Sequence, residues 1–406
     1  MILPEPSPRV RNYEQLALGL FVHWGLYSLL EEGEWIQHLK HIPCAEYDRL
    51  LDKFTARDFS AEAIVELARQ AGMKYICFTS KHHEGFSLYD TKGLNRFDSM
   101  HSPARRDFCR ELADACHKEN IRLFFYHSTL DWHQESYREN WGEYLQYLRQ
   151  SVELLCRGYG EIGGFWFDGT WNKEDADWEE DKLYSIIRTH QPNAVIINNS
   201  STKARGEAKF GDVDVVTFED GLPSAINAAG AARYLAGEMC GMTNSNWGFA
   251  RHDFKYKGPA DIVRTIAACR KTGANYLHNV GPTGEGGIPE YDAALLKKVG
   301  EWVSLFAEGL YLPRPSSIQT AAPNFVLEND NRLYLFIHED YDWNQPSFGL
   351  VPVKDVAAGI TEVSWLDNGE RLPFAQDMEK KILTIDIGRK PDWVNFIVRV
   401  AVAVFS

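Results

Sequence analysis

The chain has 406 residues, more than one hydrophobic core usually holds, and its 44% hydrophobic and 25% charged content is that of a globular protein with a sizeable core. A formal net charge of −14 with no dense Lys/Arg run argues against a nucleic-acid partner, and no apolar run is long enough to span a bilayer. Seven cysteines without a CxxC pair argue against a disulfide framework or a zinc site, and read as buried thiols in a reducing compartment. Residues Met1 to Pro6 lack a basic segment followed by an apolar core, so no signal peptide is expected and a cytoplasmic location follows.

Short apolar strands alternate with amphipathic helices from about Leu18 to Gly309. The first strand is expected over residues 18–23, followed by a helix over 60–71 with Ser60 as its cap, and a second strand over 74–80. A helix over 107–119, a strand over 121–127, a helix over 141–157 and a strand over 164–168 come next. Then come a helix over 182–189, strands over 194–198 and 214–219, a helix over 259–271 opening on Pro259 and Asp261, a strand over 274–280 and a helix over 290–308. About seven strand–helix repeats predict an α/β fold with a parallel sheet closed as a (β/α)8-like barrel, TIM-type with irregularities. Pro313-Arg314-Pro315 reads as a linker. Beyond it, alternating stretches over 332–338, 360–366, 381–387 and 394–404 predict an antiparallel β-sandwich, which divides the chain into residues 1–312 and 313–406.

Ionisable and polar groups recur where the strands end: His23-Trp24, Lys81-His82-His83-Glu84, Tyr126-His127, Asp168-Gly169, Asn198-Asn199, Glu219-Asp220 and His278-Asn279. Barrel enzymes place their chemistry on that rim. Asp168 closes the aromatic strand Gly164-Phe165-Trp166-Phe167, so a carboxylate is delivered among rings at a sharp glycine turn, where an unused charge is costly. It is the leading candidate for a nucleophile. A partner acid must hold its proton near neutral pH, which needs burial or a like-charged neighbour. Glu219 beside Phe218 is favoured for that part, with Asp220 and Glu238 as alternatives. Two such carboxyl groups can hydrolyse a glycosidic bond. Neighbours in an extended chain point opposite ways, so His82 and His83 suit hydrogen bonds to sugar hydroxyls better than one shared metal, and His23 suits the same task. No metal site is read. Trp35 and the run Asn246-Trp247-Gly248-Phe249 supply rings that either stack on a sugar face or pack a loop.

These pieces together resemble the α-L-fucosidases of glycoside hydrolase family 29 over about residues 14–310. The resemblance is carried by Phe21-Val22-His23-Trp24-Gly25, Gly33-Glu34-Trp35, Lys81-His82-His83-Glu84-Gly85-Phe86, Tyr126-His127-Ser128, Asp131-Trp132, Trp166-Phe167-Asp168-Gly169, Asn246-Trp247-Gly248-Phe249 and Asn279-Val280-Gly281-Pro282. It implies a retaining exo-glycosidase that needs no cofactor and acts on a fucosylated oligosaccharide or glycoconjugate, with neither nucleic acid nor membrane as a partner and with a homo-oligomer allowed. It puts Asp168 on the family's nucleophile and His23, His82 and His83 on its hydroxyl-binding histidines. Tyr126 or His127 falls on a further pocket position, and Glu34 and Trp35 on a loop pair that meets the sugar. Phe21, Trp166 and Trp247 fall near the apolar patch that receives the C5 methyl, whose burial contributes about 1 kcal/mol. Many members carry Asn-Asp-Arg-Trp after the fifth strand; here the run is Asn198-Asn199-Ser200-Ser201-Thr202-Lys203-Ala204-Arg205, a departure that bears on the leaving group and on preference for fucose over the galactose configuration.

Overall fold

The computed structural model describes residues 4–339, 349–388 and 396–406. Contacts divide the chain into two compact units, Met1–Lys257 with Asn275–Lys297 and Gly258–Ala274 with Lys298–Ser406. The division differs from a break at residue 312, because the helix Pro259–Lys271 packs on the C-terminal strands.

The first unit is a closed barrel of eight parallel strands in sequential order: β1 (Leu18–Val22), β2 (Tyr75–Lys81), β3 (Arg122–Ser128), β4 (Gly164–Asp168), β5 (Val195–Asn198), β6 (Val215–Glu219), β7 (Ala236–Met242) and β8 (Asn275–Val280). Closure is made by β8 on β1, with Leu20 opposite His278. Strand β7 adds one to the seven read from sequence. Its residues, Ala-Gly-Glu-Met-Cys-Gly-Met, include no β-branched side chain, so the strand signal is absent. Pairing with both β6 and β8 holds it in place instead. The barrel is irregular: no helix lies between β5 and β6 or between β6 and β7 among the described residues, and β5 meets β6 through Ile197 and Val215.

The outer helices follow their local signals. Ser60 caps Ala61–Gln70 by accepting from the Ala63 N–H, Asp107 caps Phe108–Lys118, and Asn140 caps Trp141–Gly158. Asp261 returns its carboxylate to the Gly258 N–H at the start of Pro259–Lys271. An unforeseen helix, Pro8–Glu14, precedes β1 and sends Tyr13 into the barrel interior.

Alternate residues of each strand fill that interior: Tyr75 and Cys77 from β2, Phe124 and Tyr126 from β3, Trp166 from β4, Val195 and Ile197 from β5. Asp168, two residues beyond Trp166, therefore points inward at the C-terminal rim.

The second unit contains two antiparallel sheets around one apolar core that includes Val326, Leu335, Val351, Trp365 and Leu383. Gln319–Thr320, Leu350–Lys354, Ile382–Asp386 and Phe374–Asp377 form one sheet, and Ile360–Trp365, Val398–Phe405, Arg332–His338, Phe325–Asn329 and Arg314–Pro315 the other. The sandwich reading holds. The segment read as a linker is partly an edge strand, Arg314–Pro315, paired with Leu327 and Glu328. The last strand runs Val398–Phe405, and residues 394 and 395 of the predicted stretch lie outside the described residues.

Candidate active site

A cavity of about 360 Å³ opens at the C-terminal rim of the barrel, within the size range of small-molecule sites. Asp168 and Glu219 both line it, as do His23, His82, His83 and Tyr126. Asp168 is delivered by β4, whose continuation needs Gly169: that residue adopts φ +101°, and a Cβ there would stand 2.6 Å from Leu130. One carboxylate oxygen of Asp168, Oδ1, accepts from Trp171 Nε1 at 2.9 Å and Asn199 Nδ2 at 3.2 Å. The other, Oδ2, accepts from the Tyr126 hydroxyl at 2.9 Å, with His83 Nε2 3.4 Å away.

Glu219 ends β6 and is set differently. Burial and the Asp168 charge raise its carboxyl to about 7. Among the described residues its one side-chain donor is Asn199 Nδ2, 2.8 Å from Oε2. A single amide nitrogen thus lies between the two carboxyl groups and bonds to both.

The imidazoles are held in defined tautomers. Asn279 donates its amide N–H to the Trp247 carbonyl at 2.7 Å, so its Oδ1 faces His23 Nδ1 at 2.6 Å and can only accept. Ser128 donates its proton to the Leu130 carbonyl, so it too accepts, from His83 Nδ1 at 2.6 Å. Both rings therefore carry hydrogen on Nδ1 and leave Nε2 bare as an acceptor. Burial, foremost, keeps them neutral, with His23 lowered to about 3 and His83 to about 4, and His82 lies well below the usual histidine range for the same reason. The buried Nδ1 of His82 has no hydrogen-bond partner among the described residues. Such a wall suits hydroxyl groups, which donate to nitrogen lone pairs.

An apolar wall stands near these rings. Phe21 lies edge-on to Trp166 at 5.2 Å and to Trp247 at 5.9 Å between centroids, and all three line the cavity. Trp35 reaches it as well, 5.3 Å from His83 and 6.0 Å from Trp171.

Residues 5–308 match the family model described as Alpha-L-fucosidase. The chain belongs to the α-L-fucosidase family of glycoside hydrolases. Relatives of this family span nearly the whole chain. The tissue alpha-L-fucosidase of Rattus norvegicus is 26% identical over 94% of this chain and 87% of its own length, and that of Homo sapiens is 27% identical over 91% and 83%. Among solved structures, alpha-L-fucosidase isoenzyme 1 from Paenibacillus thiaminolyticus superposes with a TM-score of 0.86, is 26% identical, and covers 98% of this chain and 99% of its own.

Within the family frame, the rim differs from the sequence reading at several residues. His127 does not reach the cavity. It has opposite parity to Tyr126 on β3 and points outward, 3.0 Å from Ser80 Oγ and 3.1 Å from Ser151 Oγ, so Tyr126 is the residue of that pair at the site. Glu34 is not among the lining residues; its Oε2 accepts from the Gly248 N–H at 2.8 Å and so holds the loop that carries Trp247. Glu238 is not among the lining residues; it is buried in the barrel, where it accepts from Tyr13, Tyr75 and Trp166. Asp220 is turned out toward Lys257, 3.5 Å away. The opposed geometry assumed for His82 and His83 is also corrected. The doublet follows the last residue of β2, Lys81, so strand alternation no longer governs it, and both rings line the cavity with centroids 4.3 Å apart.

Six lining residues were not among the sequence candidates, Trp171, Glu174, Asn199, Ser201, Thr202 and Lys203, and two of them bond Asp168. Trp171 lies in the turn Thr170–Lys173, and the left-handed Gly169 before it folds the chain back so that its indole N–H reaches Asp168 Oδ1. Asn199 was read only as one of the polar groups at a strand end, because its bonds depend on two other strands.

Proposed function

We propose that this chain is a retaining, exo-acting α-L-fucosidase. Asp168 attacks the anomeric carbon of a terminal fucosyl residue. As that bond forms, the bond from the anomeric carbon to the leaving oxygen breaks, and the Glu219 proton passes to that oxygen. Glu219, now ionised, then takes a proton from water, whose oxygen displaces Asp168 and restores both groups.

The observation that carries this reading is the amide of Asn199. The two carboxyl oxygens it joins stand 3.2 and 2.8 Å from one nitrogen, so they cannot be further apart than those bonds laid end to end, about 6 Å. That bound on one oxygen pair places the two carboxyl groups side by side on one cavity, as the retaining mechanism needs. Asp168 is held by three donors, and burial with the neighbouring Asp168 charge raises Glu219 to about 7, which supports Glu219 as the group that carries the proton. The acceptor nitrogens of His23 and His83 would take sugar hydroxyls, and the Phe21, Trp166 and Trp247 wall would take the C5 methyl. A fucosylated oligosaccharide or glycoconjugate is the substrate class.

Incubation with a 2-fluoro fucosyl donor followed by peptide mass spectrometry tests the assignment. The label is expected on the peptide carrying Asp168. A label on another residue, or turnover of an aryl α-L-fucoside by Asp168→Ala at the native rate, would remove Asp168 from the role. We also propose a cytoplasmic location, which six buried free cysteines support and cell fractionation would check.

A further inference from the structure

The side-chain amide of Asn199 has two ends, and three contacts decide how it is turned. The Ser201 backbone N–H points at Oδ1 from 3.3 Å and can only donate, and the Thr217 hydroxyl donates to the same oxygen at 2.8 Å. Asp168, when ionised, can only accept. Rotating the amide by half a turn would set its N–H groups against the Ser201 N–H and its oxygen against a carboxylate. The observed orientation satisfies every one of these groups, with one N–H for Asp168 Oδ1 and one for Glu219 Oε2.

A consequence falls on Glu219. A neutral carboxyl group has one hydroxyl oxygen and one carbonyl oxygen. The Asn199 N–H occupies Oε2, and a carbonyl oxygen is a better acceptor than a hydroxyl oxygen, so this bond favours the proton on Oε1, which has no protein donor among the described residues. We propose that Asn199, oriented by Thr217, is a positioning residue that selects Oε1 of Glu219 as the oxygen delivering the acid proton. This rests on the fucosidase reading above and deepens it.

The charged and titratable groups around Glu219 are accounted for. Asp168 faces it from β4, Arg205 binds its backbone carbonyl at 2.6 Å and that of Asp220 at 3.3 Å, and Lys203 stands on the same rim. Asp220 is paired with Lys257, and Cys240 lies opposite Glu219 on β7. Tyr126 on β3 and Glu174 share the cavity, and among the described residues Asn199 is the one side chain that bonds the Glu219 carboxyl itself. Losing its N–H removes a donor that favours the ionised form, so the proton would be held to higher pH.

The test compares two substrates, 2,4-dinitrophenyl α-L-fucoside, whose leaving group departs without a proton, and phenyl α-L-fucoside, whose leaving group needs one. Profiles of kcat/KM against pH are measured for the native enzyme, Asn199→Ala, Thr217→Val and Thr217→Ser. In Asn199→Ala the loss is expected to be about tenfold or more greater on the phenyl substrate, with the basic limb about one pH unit higher. Thr217→Val is expected to shift both in the same sense, and Thr217→Ser, which keeps the hydroxyl, to restore them. Equal losses on the two substrates with an unmoved basic limb would overturn the proposal. If Asn199→Ala does not fold, the Thr217 pair decides the matter by the same criteria. A native enzyme that turns over neither substrate would sink the fucosidase reading, whereas native turnover with unmoved variants would sink only this inference.

Discussion

Asp168 and Glu219 show how far chemistry at a single residue follows from its neighbours. Both carboxyl groups lie at strand ends beside aromatic residues, and from the chain alone they look alike. Three donors converge on Asp168 and one on Glu219, and burial followed by the Asp168 charge raises the Glu219 carboxyl. With the Glu219 carboxyl raised to about 7, the protonated acid is present below that pH and lost above it. The kcat/KM for a poorly activated fucoside is therefore expected to fall as pH rises through about 7. In Glu219→Ala the rate should drop by about two orders of magnitude and recover in part with azide. An unchanged rate would return the acid role to the search. Selectivity is also set by individual side chains. Removing one ring of the apolar wall, Trp247→Ala, is expected to reduce the ratio of fucoside to galactoside hydrolysis about fivefold, the equivalent of one methyl contact near 1 kcal/mol. A nitrophenyl glycoside panel reads that ratio, and an unaltered ratio would show that Trp247 does not sense the C5 substituent.

Whole elements explain which residues sequence reasoning could place. Helix starts were legible because a cap is a contact between residues three apart, as at Ser60 and Asp107. Strand β7 was not, since its place comes from pairing with two neighbours rather than from its own side chains. The same strand carries Glu238, which accepts from Trp166 Nε1 at 2.7 Å, from the Tyr75 hydroxyl at 2.6 Å and from the Tyr13 hydroxyl. Four elements, Pro8–Glu14, β2, β4 and β7, are tied through one carboxyl group below the cavity. Glu238→Ala would leave those donors buried and unpaired, so a loss of about 3 kcal/mol or more in urea unfolding is expected, with a smaller loss for Glu238→Gln. An alanine variant within about 1 kcal/mol of native would show that the network adds little.

At the scale of the molecule, buried carboxyl groups couple stability to pH. Glu84 is buried with its carboxyl against the Tyr47 hydroxyl and the Leu26 N–H, and desolvation raises it to about 8 from an ordinary value of 4.5. The folded chain then binds a proton that the unfolded chain has released. Its contribution is fully present below about 4.5 and is lost as pH rises through about 8. Unfolding free energy is expected to decline over that window by an amount on the order of 4 kcal/mol from this group, and the decline should be shallower in Glu84→Gln. Urea titrations at pH 5 and pH 8 would measure it, and parallel slopes for the two proteins would dismiss the link. The barrel, the sandwich, the place of Asp168 at the rim and most of the ring-lined pocket were readable in the amino-acid order, since each is written in a local period or in a run at a strand end. The outward turn of His127, the joint facing of His82 and His83, the burial of Glu238 and the bridging amide of Asn199 were decided only by closure of the barrel. Those features depend on parity, register and the distance between side chains remote in the chain, and no local pattern of residues encodes such distances.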